Sequence, residues 1–137
     1  MLIPVEQLSN QKIYDVYRAA FMDPTIDEDG DVKVTIDGVR VFVRFDGDRR
    51  MLSMFAIFGL KPTATRLQAL ELANRFNDQL ILVRCCVNTG SRGMYVYLDH
   101  WTPVYDGISP EALVTFIRRF KSVAADVGTQ DQEDILS

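Results

Sequence analysis

The sequence predicts an α+β domain: an antiparallel five-stranded sheet with three helices, in the chain order αβββαββα. Three observations carry this. Apolar residues alternate with polar ones along 32–45, apolar residues recur at helical spacing in three separate segments, and short Gly-containing turns join neighbouring strands. Connections that are either hairpins or a single helix place strands antiparallel and gather helices on one side of the sheet.

The elements follow in order. Ser9 precedes Ile13, Val16, Tyr17, Ala20 and Phe21 at helical spacing, and Asp23-Pro24 stops the run, which predicts a helix over 10–22. After the acidic turn 27–31, Val32, Val34 and Ile36 alternate with Lys33, Thr35 and Asp37. Asp37-Gly38 closes a tight hairpin into a strand whose inward row is Val39, Val41, Val43 and Phe45. Asp46-Gly47-Asp48 turns again into a third strand over 50–58. Gly59 and Pro62 end it, and a helix over 64–78 follows with Thr63 as a candidate cap. Residues 79–87 and 94–101 read as strands four and five around the loop 88–93. Ser109-Pro110-Glu111 then opens a last helix with the apolar stripe Leu113, Phe116, Ile117, Phe120 and Val123.

Composition bounds what the chain can be. Its 137 residues, 47% apolar and 25% charged, fit one globular domain, here 1–127, followed by an acidic polar tail over 128–137. The tail carries Asp131, Glu133 and Asp134 and is expected to be flexible and dispensable for folding. A net charge of −4 supplies no basic field for a nucleic acid backbone. No apolar run approaches the roughly 18 residues of a membrane span, and the first residues meet Pro4 and Glu6 before a signal-like core develops. A cytoplasmic protein without membrane insertion is the expectation. Adjacent Cys85 and Cys86 cannot bridge in an extended strand and read as free thiols, Cys85 buried and Cys86 more accessible.

Four segments resemble the YbjN family, bacterial domains of about this length labelled sensory transduction regulators. They are Asp27-Glu-Asp-Gly-Asp31, Val39-Arg-Val-Phe-Val-Arg44, Ala69-Leu-Glu-Leu-Ala-Asn-Arg-Phe-Asn77 and Gly107-Ile-Ser-Pro-Glu-Ala-Leu113. The Asn74, Phe76, Asn77 arrangement is the most specific of them. The resemblance implies a fold similar to the type III secretion chaperones, commonly dimeric, with no catalytic residues to carry over.

Reactive motifs fail when tested one by one. The acidic turn imitates the middle of a calcium loop, but with Gly30 at the sixth position Ile36 occupies the twelfth, where a bidentate glutamate is needed. His100, the only histidine, has no visible catalytic partner, and the loop 89–93 matches no phosphate-binding pattern. No catalytic residue, metal or cofactor is therefore expected. What remains is a face. Arg40, Phe42, Arg44, Arg84, Tyr95, Tyr97 and Trp101 project away from the inward valine rows, and arginines and aromatics are the residue types of interface cores. Residues 51–58 and 81–83 are apolar on both faces, so something should cover the second face, one of the helices or a second copy. The expected function is a non-enzymatic protein-binding or regulatory module, a homodimer, acting in signal or stress regulation. The alternatives are a chaperone for a client protein and, further off, a small-molecule enzyme.

Overall fold

The computed structural model describes residues 1–137. Its elements are α1 (Asn10–Ala19), β1 (Thr25–Ile26), β2 (Val32–Ile36), β3 (Val39–Asp46), β4 (Met51–Gly59), α2 (Arg66–Gln79), β5 (Arg84–Gly90), β6 (Gly93–Pro103), α3 (Pro110–Ala125) and the one-turn α4 (Val127–Gln130). The strands form one antiparallel sheet in the order β1-β2-β3-β4-β6-β5. Six strands, not five, corrects the sequence expectation. The extra strand, β1, pairs only Thr25 with Lys33 and Ile26 with Val32. Two residues between Asp23-Pro24 and an acidic turn carry no periodicity, so nothing in the sequence announces them.

Each of the three long helices begins where a side chain can satisfy its free N–H groups. Ser9 accepts from the Lys12 N–H, Ser109 accepts from the Ala112 N–H ahead of Pro110, and Thr65 forms a reciprocal capping box with Gln68. Thr65, rather than Thr63, is thus the cap of α2. The helix runs to Gln79 and β5 starts only at Arg84, because a turn with Leu82 in the left-handed region (φ 68°) separates them. The β2–β3 turn is the tight hairpin expected: Asp37 and Gly38 both have positive φ, 49° and 82°, which a two-residue turn of this hand requires. Gly107 is fixed by a close approach. A Cβ there would stand 2.2 Å from the Ile3 carbonyl oxygen, where the chain start bridges to Ile108.

All three long helices pack on one face. Ile13 and Tyr17 of α1, Leu72 and Phe76 of α2, and Leu113, Ile117 and Phe120 of α3 join the inward rows Val32/Val34, Val41/Val43, Leu52/Met54/Ala56 and Val96/Leu98 in one core. Tyr17, with no exposed surface, donates its hydroxyl to the Leu113 carbonyl at 3.2 Å and so ties α1 to α3. Burial raises its phenol far above the usual range. Asn77 has a different task. Its Oδ1 accepts the Cys85 N–H (2.8 Å) and its Nδ2 donates to the Cys85 carbonyl (3.0 Å), so one side chain occupies the open edge of β5 as a neighbouring strand would. Within the same motif Phe76 fills the core and Asn74 stays exposed.

Residues 128–137, expected as a solvated tail, return to the body. The Asp131 carboxylate accepts the N–H groups of Ile135 and Leu136 at 2.9 and 3.0 Å, turning the chain back. Leu136 then bridges to Leu60, the Lys61 N–H donates to the Ile135 carbonyl (2.8 Å), and Ile135 is buried in the core. A polar sequence conceals this because a single apolar side chain with local hydrogen bonds is enough to hold a short strap.

Candidate functional site

The strand register decides which side chains share the outer face. Phe42 stands opposite Phe55, Phe55 opposite Asp99, and Asp99 opposite Arg84; one pair further along, Arg44 faces Ser53 and Ser53 faces Trp101. Every one of Arg40, Phe42, Arg44, Arg84, Tyr95, Tyr97 and Trp101 occupies an outward position by this register. No helix lies over them, since the helices fill the other face.

The outer face packs on itself. The Phe42 and Phe55 rings stack with centroids 5.1 Å apart and 12° between planes, and Phe55 and Tyr97 continue the stack at 5.5 Å and 25°. The Arg44 guanidinium covers the Phe55 ring at 5.3 Å. Phe55 is accordingly only 7% exposed, yet it stands apart from the core formed under the helices. Burial is also the larger reason that the Tyr97 phenol is raised, with the Asp99 charge adding to it.

Two buried carboxylates brace this aromatic strip. Arg44 binds Asp31 through Nε and Nη2 at 2.6 and 2.7 Å, and Arg84 binds Asp99 in the same two-pronged way at 3.0 and 2.7 Å. The Trp101 Nε1–H donates to the second oxygen of Asp99 at 3.1 Å. Both carboxylates are 3% exposed while their arginines stay half open to water. The pairs position arginine heads over an apolar surface without leaving a buried charge alone.

Asp27, Asp29 and Asp31 place carboxylate oxygens within 4.8 Å of one another. Their geometry is nevertheless a folded turn: both Asp31 oxygens are held by Arg44, and Asp27 Oδ1 accepts the N–H groups of Asp29 and Asp31. The thiols divide as the sequence implies. Cys85 is buried, which pushes its pKa up to about 12, and Cys86 lies on the outer face opposite Tyr97. His100 pairs with Met54 and faces the helices, on the other side of the sheet from Cys86, and burial lowers its pKa.

Sequence reasoning left Phe55, Asp31 and Asp99 outside the site. Phe55 was recoverable from its parity with Met51 and Ile57. The two aspartates were not, because their partners lie 13 and 15 residues away and meet them only through the strand register.

Comparison with known proteins fits this architecture. The family model described as "putative bacterial sensory transduction regulator", YbjN, matches residues 9–133. The chain belongs to the YbjN family. The crystal structure of YbjN from E. coli, described as "a putative transcription regulator", superposes with a TM-score of 0.81 at 14% identity, covering 100% of this chain and 99% of that one. An uncharacterized protein from Methanothermobacter thermautotrophicus gives 0.60 at 16% identity over 92% and 98% of the two chains. The Yersinia pestis type III secretion chaperone SycH, solved with a stable fragment of YscM2, gives 0.51 at 15% identity over 88% and 98%. At such identities the likeness is one of fold, and it bears out the resemblance to secretion chaperones. No curated protein matches the sequence. No helix of this YbjN member is long and apolar enough to cross a membrane.

Proposed function

We propose that this YbjN-family chain is a non-enzymatic regulatory module that binds another protein through the uncovered face of its sheet. One observation carries the reading: a stacked strip of Phe42, Phe55 and Tyr97 on a face that no helix covers, braced by two buried ion pairs. An apolar strip rimmed by arginines has the composition of an interface core and rim. Support also comes from fold neighbours solved with bound proteins, the SycH complex and the HopA1–SchA chaperone–effector complex, the latter at a TM-score of 0.52 and 15% identity over 86% of this chain and 88% of that one. Against catalysis stands the separation of Cys86 and His100 by the sheet, and the Tyr17 hydroxyl is engaged with a backbone carbonyl.

A second copy of the chain is one occupant of this face, a cytoplasmic client or regulated protein the other. The test is affinity capture with a Phe42→Ala, Tyr97→Ala double variant beside the unaltered chain, with light scattering on both. Truncating these rings leaves the helix-covered core and both ion pairs intact, so far-ultraviolet dichroism should not change. Loss of captured proteins, or of a dimer present in the unaltered chain, supports the assignment. Capture and oligomeric state identical in both chains refutes it.

A further inference from the structure

The uncovered face changes character at the end where the β2–β3 and β5–β6 hairpins turn. There the outward positions on β4, β5 and β6 are Gly59, Gly90 and Gly93. Ser137 Oγ lies over Gly59 and the Tyr95 ring over Gly90, while the space above Gly93 is open. Here the aromatic strip stops, and a groove of about 590 Å³ opens beside it. Its lining includes Arg40, Ile57, Leu60, Arg92, Met94 and Tyr95, with Phe42 shared with the strip and Ser137 seated at Gly59.

The charges in this groove differ from those along the strip. Arg44 and Arg84 are each neutralised by a buried aspartate, whereas Arg40 and Arg92 are exposed and make no ion pair. No acidic side chain lines the groove. A chain of net charge −4 therefore presents two free guanidinium groups around an apolar floor.

We propose that the groove takes an extended acidic segment of a partner protein, with carboxylates for Arg40 and Arg92 and an apolar side chain between them for Ile57, Leu60 and Met94. The guanidinium fork matches a carboxylate in two-pronged geometry. A small anion would satisfy the arginines but leave the apolar wall wet and most of the volume unfilled. A polynucleotide would release few counterions at two cations and meet a protein of its own sign. The assignment rests on the protein-binding reading above and specifies its partner.

The test is an amide chemical-shift titration of the isotopically labelled chain with a synthetic peptide of about ten residues, roughly 33 Å in extended form. The peptide alternates Asp and Glu with Leu and Phe; its control carries Asn and Gln instead. Shifts are expected at Leu60, Gly90, Gly93 and Tyr95. They should saturate with the acidic peptide, and binding should weaken roughly tenfold or more for the amide control, for an Arg40→Gln, Arg92→Gln variant, and on raising salt well above physiological strength. Both arginines are exposed, so the variant's spectrum should retain its dispersion. Equal binding of the two peptides, shifts confined to other regions, no shift at millimolar peptide, or displacement of the peptide by inorganic phosphate or a single-stranded oligonucleotide overturns the proposal. If the groove fails while capture still depends on Phe42 and Tyr97, only the acidic partner is lost; if capture is indifferent to those rings as well, the protein-binding reading fails with it.

Discussion

Ile135 offers the sharpest test of how the fold is closed. It is 4% exposed and belongs to the core, although the other nine residues from 128 to 137 are not core residues. Replacing it with alanine removes three methyl or methylene carbons from that core. Buried Ile→Ala changes cost about 2–5 kcal/mol, and a site held by a short strap can partly collapse, so a loss of about 2–3 kcal/mol is expected. For a domain of this length each kcal/mol moves the melting temperature by roughly 4 °C, which predicts a drop of about 10 °C by calorimetry or dichroism. Deleting residues 131–137 should cost at least as much, since it also removes the hydrogen bonds to Gly59 and Lys61. Glu133→Gln, on the exposed outer side of the same strap, is the control and should leave melting unchanged. If Ile135→Ala and the deletion both melt within a degree or two of the unaltered chain, the strap does not dock and residues 128–137 are the free tail that their composition suggests.

The two halves of the Arg84–Asp99 pair should behave unequally in urea denaturation. Arg84→Met strands a nearly buried carboxylate with only the Trp101 N–H and should cost about 2–3 kcal/mol, whereas Asp99→Asn frees a largely solvated arginine and should cost about 1 kcal/mol; equal losses would contradict the burial asymmetry. His100 contributes a pH dependence. Its folded-state pKa lies below the ordinary value near 6.5 because burial disfavours the cation, so the unfolded chain binds the proton more readily. Its stabilising contribution is thus complete above about pH 6.5 and declines as pH falls through the lowered pKa; His100→Gln should flatten the fall in melting temperature between about pH 7 and 5, and an unchanged slope would exclude the residue. Iodoacetamide should alkylate Cys86 in the folded protein while Cys85, buried with its thiol pKa near 12, reacts only on unfolding; mass spectrometry of native digests showing equal labelling would refute their placement.

Much of this molecule is legible in its sequence because the informative signals are local. A period of two along Val32–Phe45, capping hydroxyls at Ser9 and Ser109, and the Asp37-Gly38 turn each act within a few residues, and their physics is the same in any fold. Those signals suffice for the three long helices, five of the strands and the outward set from Arg40 to Trp101. What lies beyond them depends on groups distant in the chain. Whether α1 covers the inner or outer face is settled by Tyr17 reaching Leu113, 96 residues on, and no periodicity encodes that contact. The register of β5 against β6 brings Arg84 to Asp99, and Arg40 and Arg92 share a groove only once their strands are aligned. β1 is too short to alternate, and Ile135 is one apolar residue in a polar segment whose docking depends on Leu60 and Lys61, far back in the chain. The sequence alone determined which residues point away from the core, because side-chain parity is a property of the strand itself. Only the tertiary structure decided that this face stays uncovered and how its charges pair, because both depend on which distant elements come to lie beside it.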